Sequence, residues 1–575
     1  MAENKDMENY RATSAEEEED YFDNVELELD YSISVTEGSV ELKKDSIKEQ
    51  KKYMRDSHGD MDDEEFLQNM QLVNNDEAYL TRAAKRLEVY EHQKKNPYFG
   101  KVTFRYDDEG DVIPFYIGMA GYESDMNNEQ LIYDWRAPVS SMYYAYEKGP
   151  ASYTVNTEDM GSEKFTGHII EKKQFVIVNG KLREAVDTDA NINDVILLEA
   201  LGGNSSVKMK SVVATIQKEQ DAIIRNRTAY NLIVDGRAGS GKTVIAMHRL
   251  AWLLYNYKTL DSDKVMILSP NSIFGDYISD VLPELEENSV PEKEFDSLLE
   301  ELLYIDEEYE TKLEQSEFII DSGDQENQRI RNLKVKSSIG FYDRFNEFLE
   351  RYVSEIKFRT FHYQKVEYTG DDISAMFNGR FSRKPVYERF ENIAYFIVDR
   401  VEDNSPKEFP EEKKNNLARQ IQKQMVNLFA ERNLVKLYVD FLAEMEPEYP
   451  GISEYKNEYG KICYEDILPI LYLQVYFYGC NTYNNIKHLV IDEMQDYTIF
   501  QYAILDRIFG CKKTILGDRY QVLFYNPEET VVDILTKIFA KRNGQGGYEL
   551  MELSESYRST AEITEFCNNI PVSYT

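Results

Sequence analysis

Cysteine is scarce: the 575-residue chain has four, Cys463, Cys480, Cys511 and Cys567. Their spacing makes neither a metal-ligand pattern nor a disulfide framework, so a reducing compartment, the cytoplasm, is expected. No run of 18 apolar residues occurs, and no membrane-spanning helix is expected. The first residues, MAENKDMENYRATSAEEEED, are polar and acidic, so no secretory signal is expected there. Positive charge is also short: 66 Lys and Arg stand against 105 Asp and Glu, a net charge of −39. Proteins that track nucleic acid offer a basic groove to its phosphates. A local groove could exist here, but the overall field repels DNA and attracts basic surfaces, including the clefts of nucleic-acid enzymes.

The apolar fraction, 42%, is ordinary for a globular protein, and the length suits several domains. One stretch, NLIVDGRAGSGKTVIAMHRLAWLLY (231–255), organises the rest. An apolar strand runs into Gly236, Arg237, Ala238, Gly239, Ser240, Gly241, Lys242 and Thr243, and a helix pattern follows at once. The loop fits G-x-x-x-x-G-K-[ST] in its required strand–helix setting. Its glycines let backbone N–H groups curl round a phosphate, and the helix N-terminus faces the same anion. Lys242 is expected to reach the β- and γ-phosphates of ATP and the Thr243 hydroxyl to hold Mg²⁺.

In chain order, residues 1–24 read as an acidic, disordered tail, with Glu16–Asp20 solvated. Ile33, Val40, Ile47 and Met54, then Phe66, Met70, Val73, Leu80, Ala84 and Leu87, space like the seams of an antiparallel coiled-coil hairpin. Its turn, DSHGDMDDEE (56–65), is acidic. It is either a polar loop with a helix cap or a probe for a basic channel. Residues 97–185 carry short strands (101–106, 113–118, 131–133, 175–178) between turn signals. There Asp134-Trp135-Arg136-Ala137-Pro138 reads as a structural corner, with Trp135 in the core and Arg136 satisfied by a carboxylate. Residues 190–228 read as helical. A long helical insertion follows from about 285 to 460. Its first part, 284–327, holds seventeen acids and two bases and is expected to stay solvated or meet a basic partner. Helices at Phe341–Ile356, Tyr387–Val401 and Lys414–Phe441 carry ordinary core patterning. Beyond it, His488–Ile491 reads as a buried strand ending in Asp492 and Glu493. Asp492 is placed to hold Mg²⁺ and Glu493 to deprotonate water. Another strand, Lys513–Leu516, ends in GDRYQ (517–521). Alternating strands and helices imply a parallel sheet with the site at its carboxyl edge.

These pieces in this order resemble the first motor domain of the UvrD-like superfamily 1 helicases. Gln220 matches the adenine-reading Q motif, GRAGSGKT motif I, DEMQD motif II, GDRYQ motif III and SYRST (556–560) the next motif. The resemblance implies that Tyr557 stacks on adenine, Arg558 meets the γ-phosphate and Gln521 senses its loss. The hairpin, NPYFGKV, DWRAPVSSMYYAYEKGPASY, VATIQKEQDAIIRN, LSPNSIFGDYISDVLPEL and HLVIDEMQDY look like the HelD branch, RNA polymerase recycling factors. That similarity implies a hairpin bound in the polymerase secondary channel, an insertion in its main cleft, and ATP-driven release of nucleic acid from stalled or post-termination enzyme. It also raises the standing of the acidic tip (Asp60, Asp62, Asp63, Glu64, Glu65) as a contact. Pro270 and Asn526-Pro527 stand where strand-translocating relatives carry base-contacting aromatics, so contact with nucleic acid is expected to be weak or indirect.

The sequence ends at Thr575, soon after Arg558, so the resemblance implies only the start of a second RecA-like domain and weakened hydrolysis. The fold expected is α/β: a P-loop RecA-like core (190–284 and 461–545), a coiled-coil arm (1–96), a β-rich module (97–189), a helical insertion (285–460) and the start of a second RecA-like domain (546–575). The expected function is that of a monomeric, ATP-dependent, polymerase-binding release factor. A 3′-to-5′ DNA helicase and a hydrolysis-deficient docking fragment are the alternatives.

Overall fold

The computed structural model describes residues 13–56, 62–108, 110–157, 161–177, 180–187, 213, 216–237, 239–270, 282, 285, 287–322, 327–363, 365–382, 384–426, 433–521, 529–540 and 547–553. Two compact units emerge. One comprises Met1–Asn226, Met247–Thr259 and Ile278–Ser289; the other comprises Arg227–Ala246, Leu260–Tyr277 and Val290–Thr575.

The first unit begins with two long helices, α1 (Ala15–Asp56) and α2 (Asp63–Lys95). They run antiparallel: Lys94 pairs with Asp30 at 2.5 Å, Lys43 with Asp76 at 2.6 Å, and the Tyr53 hydroxyl donates to Glu65 at 2.9 Å. The hairpin forms as the heptads predict, but its seam is displaced. On α2 the buried positions among the described residues are Val73, Asp76, Ala83, Tyr90 and Gln93, whereas Ala84, Phe66 and Met70 are exposed. On α1 they include Phe22, Val25, Leu29, Ser32, Thr36 and Ile47. Polar side chains with partners hold several seam positions, a choice that an apolar count passes over. At the tip, Asp62 caps α2 by accepting the Glu65 N–H at 2.8 Å. Asp60 lies outside the described residues.

The expectation of a disordered start fails from Ala15 onward. Glu18, read as solvated, is fully buried. It accepts from Lys101 at 2.8 Å, Lys173 at 3.0 Å and the Tyr116 hydroxyl at 2.8 Å. Glu171 pairs with the same lysines at 3.1 and 3.2 Å and accepts the Thr13 N–H at 2.9 Å. Burial alone would raise the Glu171 carboxyl. The Lys101 ammonium, the Thr13 hydrogen bonds and Lys173 outweigh it and pull the group from 4.5 down to about 2. A carboxylate depressed in the fold contributes stability that is present above its unfolded value and lost as pH falls toward its folded one. Acid titration of the full chain, followed by circular dichroism, is therefore expected to show this unit weakening between pH 4.5 and about 2.

The module behind the hairpin is one sheet of seven strands: β1 (Gly100–Tyr106), β2 (Val112–Gly118), β3 (Tyr122–Glu123), β4 (Gln130–Asp134), β5 (Gly149–Thr157), β6 (Gly161–Ile177) and β7 (Leu182–Asp187). Their order is β3-β4-β2-β1-β6-β5, with β7 also on β6, and every pairing is antiparallel except β2 with β4. Phe22, Val25 and Leu29 of α1 pack with Tyr98, Tyr116, Tyr122, Ile132 and Phe175 into one core. The corner at Trp135 is structural, as read: Trp135 is fully buried. Arg136 forks onto Asp134 at 2.9 and 2.7 Å and reaches Glu287 at 2.7 Å. Of residues 190–228, the helix α4 (Lys218–Ile224) is described, and 188–212 lie outside the described residues.

The second unit holds a parallel sheet: β8 (Asn231–Gly236), β9 (Val265–Leu268), β10 (Glu292–Lys293), β13 (His488–Ile491), β14 (Lys512–Gly517) and β15 (Tyr548–Leu553). Its order is β10-β9-β13-β14-β8-β15, and every pairing is parallel. β10 comes from the acidic start of the insertion. β15 comes from the segment read as the start of a second RecA-like domain, and it pairs with β8. A two-stranded ribbon, β11 (Phe361–Tyr363) and β12 (Val366–Tyr368), lies within the insertion. Helices that include α9 (Ile339–Ser354), α11 (Val386–Asp403) and α14 (Tyr464–Tyr478) share one hydrophobic core in this unit. Lys414–Phe441, read as one helix, is split: helices span Glu411–Val426 and Leu434–Met445. Asn433 caps the second by accepting the Lys436 N–H at 3.0 Å. The acidic block is not wholly solvated either. Glu310 is buried and paired with Arg329, which also holds Glu465 at 2.8 Å. Among the described residues, no helix is long and apolar enough to cross a membrane.

Candidate functional site

Three strand ends converge at the carboxyl edge of the parallel sheet. β8 delivers the glycine loop, β13 delivers Asp492 and Glu493, and β14, lying between them, delivers Gly517 and Asp518. Apolar strands buried on both faces bring polar groups to one edge, where parallel sheets bind their ligands.

The loop is built for a phosphate. Gly239 and Gly241 take φ of +81° and +80°, backbone that glycine adopts without strain. A Cβ on Gly236 would lie 2.6 Å from Ser240 Oγ. Ser240 is buried, and its hydroxyl has no hydrogen-bond partner among the described residues. A buried hydroxyl left without a partner is costly, and a phosphate oxygen in the loop would supply one. Lys242 opens α5 (Lys242–Asn256) and folds back, donating from Nζ to the carbonyls of Gly236 at 2.7 Å and Arg237 at 3.2 Å. The ammonium thus waits over the cradle.

Opposite stands the acidic half. The Thr243 hydroxyl donates to Asp492 Oδ2 at 3.0 Å. Burial, and then the charge of Glu493, push the Asp492 carboxyl up to about 6; Thr243 and Lys242 oppose that shift. A divalent cation shared by these two oxygens would offset the cost of the buried charge. The pair therefore fits Mg²⁺ by its donor chemistry. Glu493 takes left-handed backbone, φ +51° and ψ +57°, the only such non-glycine residue in this unit among those described. Strain of this kind marks functional turns.

Gln495 was quoted in motif II without a role, and the structure supplies one. Its Nε2 donates to Glu493 at 2.8 Å, and its Oε1 accepts the Asp518 N–H at 3.0 Å. One side chain thus ties the Glu493 carboxylate to the end of β14. A Cβ on Gly517 would lie 2.5 Å from Gln495 Oε1 and from the Met494 nitrogen, so this approach needs glycine. Arg519 locks the same turn to the loop strand by pairing with Asp235 and, at 2.5 Å, with Glu552. An amide bridging two motifs leaves no periodic signal, so only its place beside the acidic pair could have drawn attention to it.

Not every predicted residue joins this constellation. Gln521 is exposed, and its N–H donates to the Asp518 carbonyl at 3.3 Å. Arg237 is exposed as well. Gln220 belongs to the first unit, where its side-chain oxygen accepts the Gln217 N–H at 3.1 Å and caps α4. Ala238, Tyr557 and Arg558 lie outside the described residues.

A phosphate loop facing an Asp-Glu pair across a parallel sheet defines a P-loop nucleotide-binding core of the RecA-like class. Residues 216–526 match the family described as the UvrD/REP helicase N-terminal domain. That match spans more than half of the chain, and the chain belongs to the UvrD/REP helicase family. Residues 15–196 match the DNA helicase IV HelD N-terminal domain, so the two domains stand in tandem. No curated protein matches the chain. The UvrD-type domain is that of a superfamily 1 ATPase.

Proposed function

We propose that this chain is an ATP-dependent, RNA polymerase-binding factor of the HelD kind, which releases nucleic acid from stalled or post-termination polymerase in the cytoplasm. The observation that carries the ATPase half is the Thr243–Asp492 contact at 3.0 Å beside Glu493. Bound Mg²⁺ would neutralise charge on the phosphates. The loop N–H groups and Lys242 bind and orient the β- and γ-phosphates, while Thr243 and Asp492 hold the ion. Glu493 accepts the proton of the attacking water, and Gln495 fixes its direction. Arg558 is assigned to the transferring phosphate, Tyr557 and Gln220 to the adenine, and Gln521 to sensing hydrolysis.

The polymerase half is supported by the HelD-type N-terminal domain, by the long hairpin, and by a charge of −39 that favours basic clefts over DNA. Pro270, where a translocating relative would stack a base, supports weak or indirect contact with nucleic acid.

The test is ATP turnover by the 575-residue chain, alone and with core RNA polymerase, beside a strand-separation assay. Turnover raised by polymerase, with release of a bound transcript and no unwinding, is the expected result. Unwinding of a 3′-tailed duplex would move the assignment to a 3′-to-5′ helicase. Polymerase binding without turnover would leave a docking role alone.

A further inference from the structure

The insertion side of the second unit contains a cavity of ≈1260 Å³, lined by none of the Gly236–Thr243 loop residues. Two arginines face it, Arg389 on α11 and Arg507 on α15 (Ile499–Ile508). Arg389 is 7% exposed. Its Nε donates to the Lys384 carbonyl at 2.7 Å, and its guanidinium lies 5.2 Å from the Phe377 ring centre. Arg507 is exposed and lines the cavity wall. It stands 4.9 Å from the ring centres of both Tyr472 and Tyr476 and donates to the Tyr472 hydroxyl at 3.0 Å.

Neither arginine has a carboxylate partner among the described residues. Tyr476 lies against both. Burial lowers the Arg389 guanidinium below its ordinary range; the Tyr476 phenol opposes this, and the Arg507 charge adds to it. The fold therefore holds one buried guanidinium, Arg389, without a carboxylate partner and beside the like charge of the exposed Arg507, and an anion would offset the cost of burying it. Of the carboxylates on the wall, Glu388 is taken by Lys384 at 2.6 Å, Asp506 faces Lys513 at 3.8 Å, and Glu350 and Glu391 are exposed and make no ion pair with either arginine among the described residues.

The volume suits a small ligand rather than one ion. The guanidinium fork matches a phosphate bidentately. Asn378, Ser382, Asn481 and Asn484 line the same cavity and add neutral donors. We infer that this cavity is a second anion site, in which Arg389 and Arg507 take a phosphate-bearing small molecule independently of the Gly236–Thr243 loop.

Inorganic pyrophosphate is the probe, titrated calorimetrically into the full chain carrying Lys242→Ala, so that the loop lysine cannot supply the signal. Pyrophosphate is expected to bind, more tightly than citrate, and Arg507→Gln in that background is expected to weaken it about tenfold or more. Arg507→Lys keeps the charge without the fork and is expected to weaken it severalfold. It carries the test if Arg507→Gln loses its thermal unfolding transition. Absence of pyrophosphate binding, equal binding of citrate, or unchanged affinity in the folded Arg507 variants would each overturn the assignment.

Discussion

Replacing Glu493 by glutamine is expected to lower ATP turnover by about 10²- to 10⁴-fold while leaving ATP bound. The substitution keeps the shape and a side-chain oxygen that can still accept from Gln495, now 2.8 Å away. It removes only the capacity to take a proton. Binding is expected to rest on other groups: the loop N–H donors, Lys242 and the Thr243–Asp492 pair. Phosphate release measured beside equilibrium ATP binding separates the two. Turnover that survives in Glu493→Gln would place the base elsewhere. Gln495→Ala makes a second comparison. It leaves the carboxylate in place but cuts its tie to Asp518, so a smaller loss is expected, mostly in turnover rather than in ATP affinity.

Glu18→Ala is expected to destabilise the first unit by about 3–5 kcal/mol, the usual cost of breaking a buried ion pair from one side. Lys101 is 2% exposed, and its ammonium would keep one carboxylate, Glu171, which Lys173 also claims, beside the Thr13 hydroxyl at 2.7 Å. The Tyr116 hydroxyl would lose its acceptor too. Urea unfolding of the full chain, followed by a probe on the β module, measures the effect. Glu18→Gln, which can still accept from Tyr116, is expected to cost less than Glu18→Ala. A cost below about 1 kcal/mol for the alanine, the range of surface pairs, would mean that the network adds little.

The phosphate loop was legible because everything it needs is local: an apolar strand, glycines where φ turns positive, and a helix that starts at the lysine. Asp492 and Glu493 were legible for the same reason, as carboxylates at the end of a buried strand. The start of α1 was not. Glu18 belongs to a run of acids whose neighbours do face water, and only the distant Lys101 and Lys173 make its burial affordable. The ribbon of β5 and the first half of β6 was missed because its residues are largely polar and half-exposed, so alternation gives little contrast. The hairpin seam was read in the right helices but partly at the wrong positions. Asp76, Ser32 and Thr36 occupy places that an apolar count skips. The arginines of the second cavity come from separate helices, and no spacing joins them.

Asp76 has a consequence for the arm as a measuring device. A seam of aliphatic side chains alone tolerates sliding by a helical turn, about 5 Å, at modest cost. Asp76 is 9% exposed and is held from the opposite helix by Lys43 at 2.6 Å and Ser46 at 3.1 Å. A slip in either direction would part that carboxylate from Lys43 and Ser46, so it acts as a pin through two rails, as a polar residue in a coiled-coil seam fixes alignment. With the rails pinned, the 42 residues of α1 set a reach of roughly 63 Å from base to tip. Whatever the tip touches, it touches at a calibrated depth.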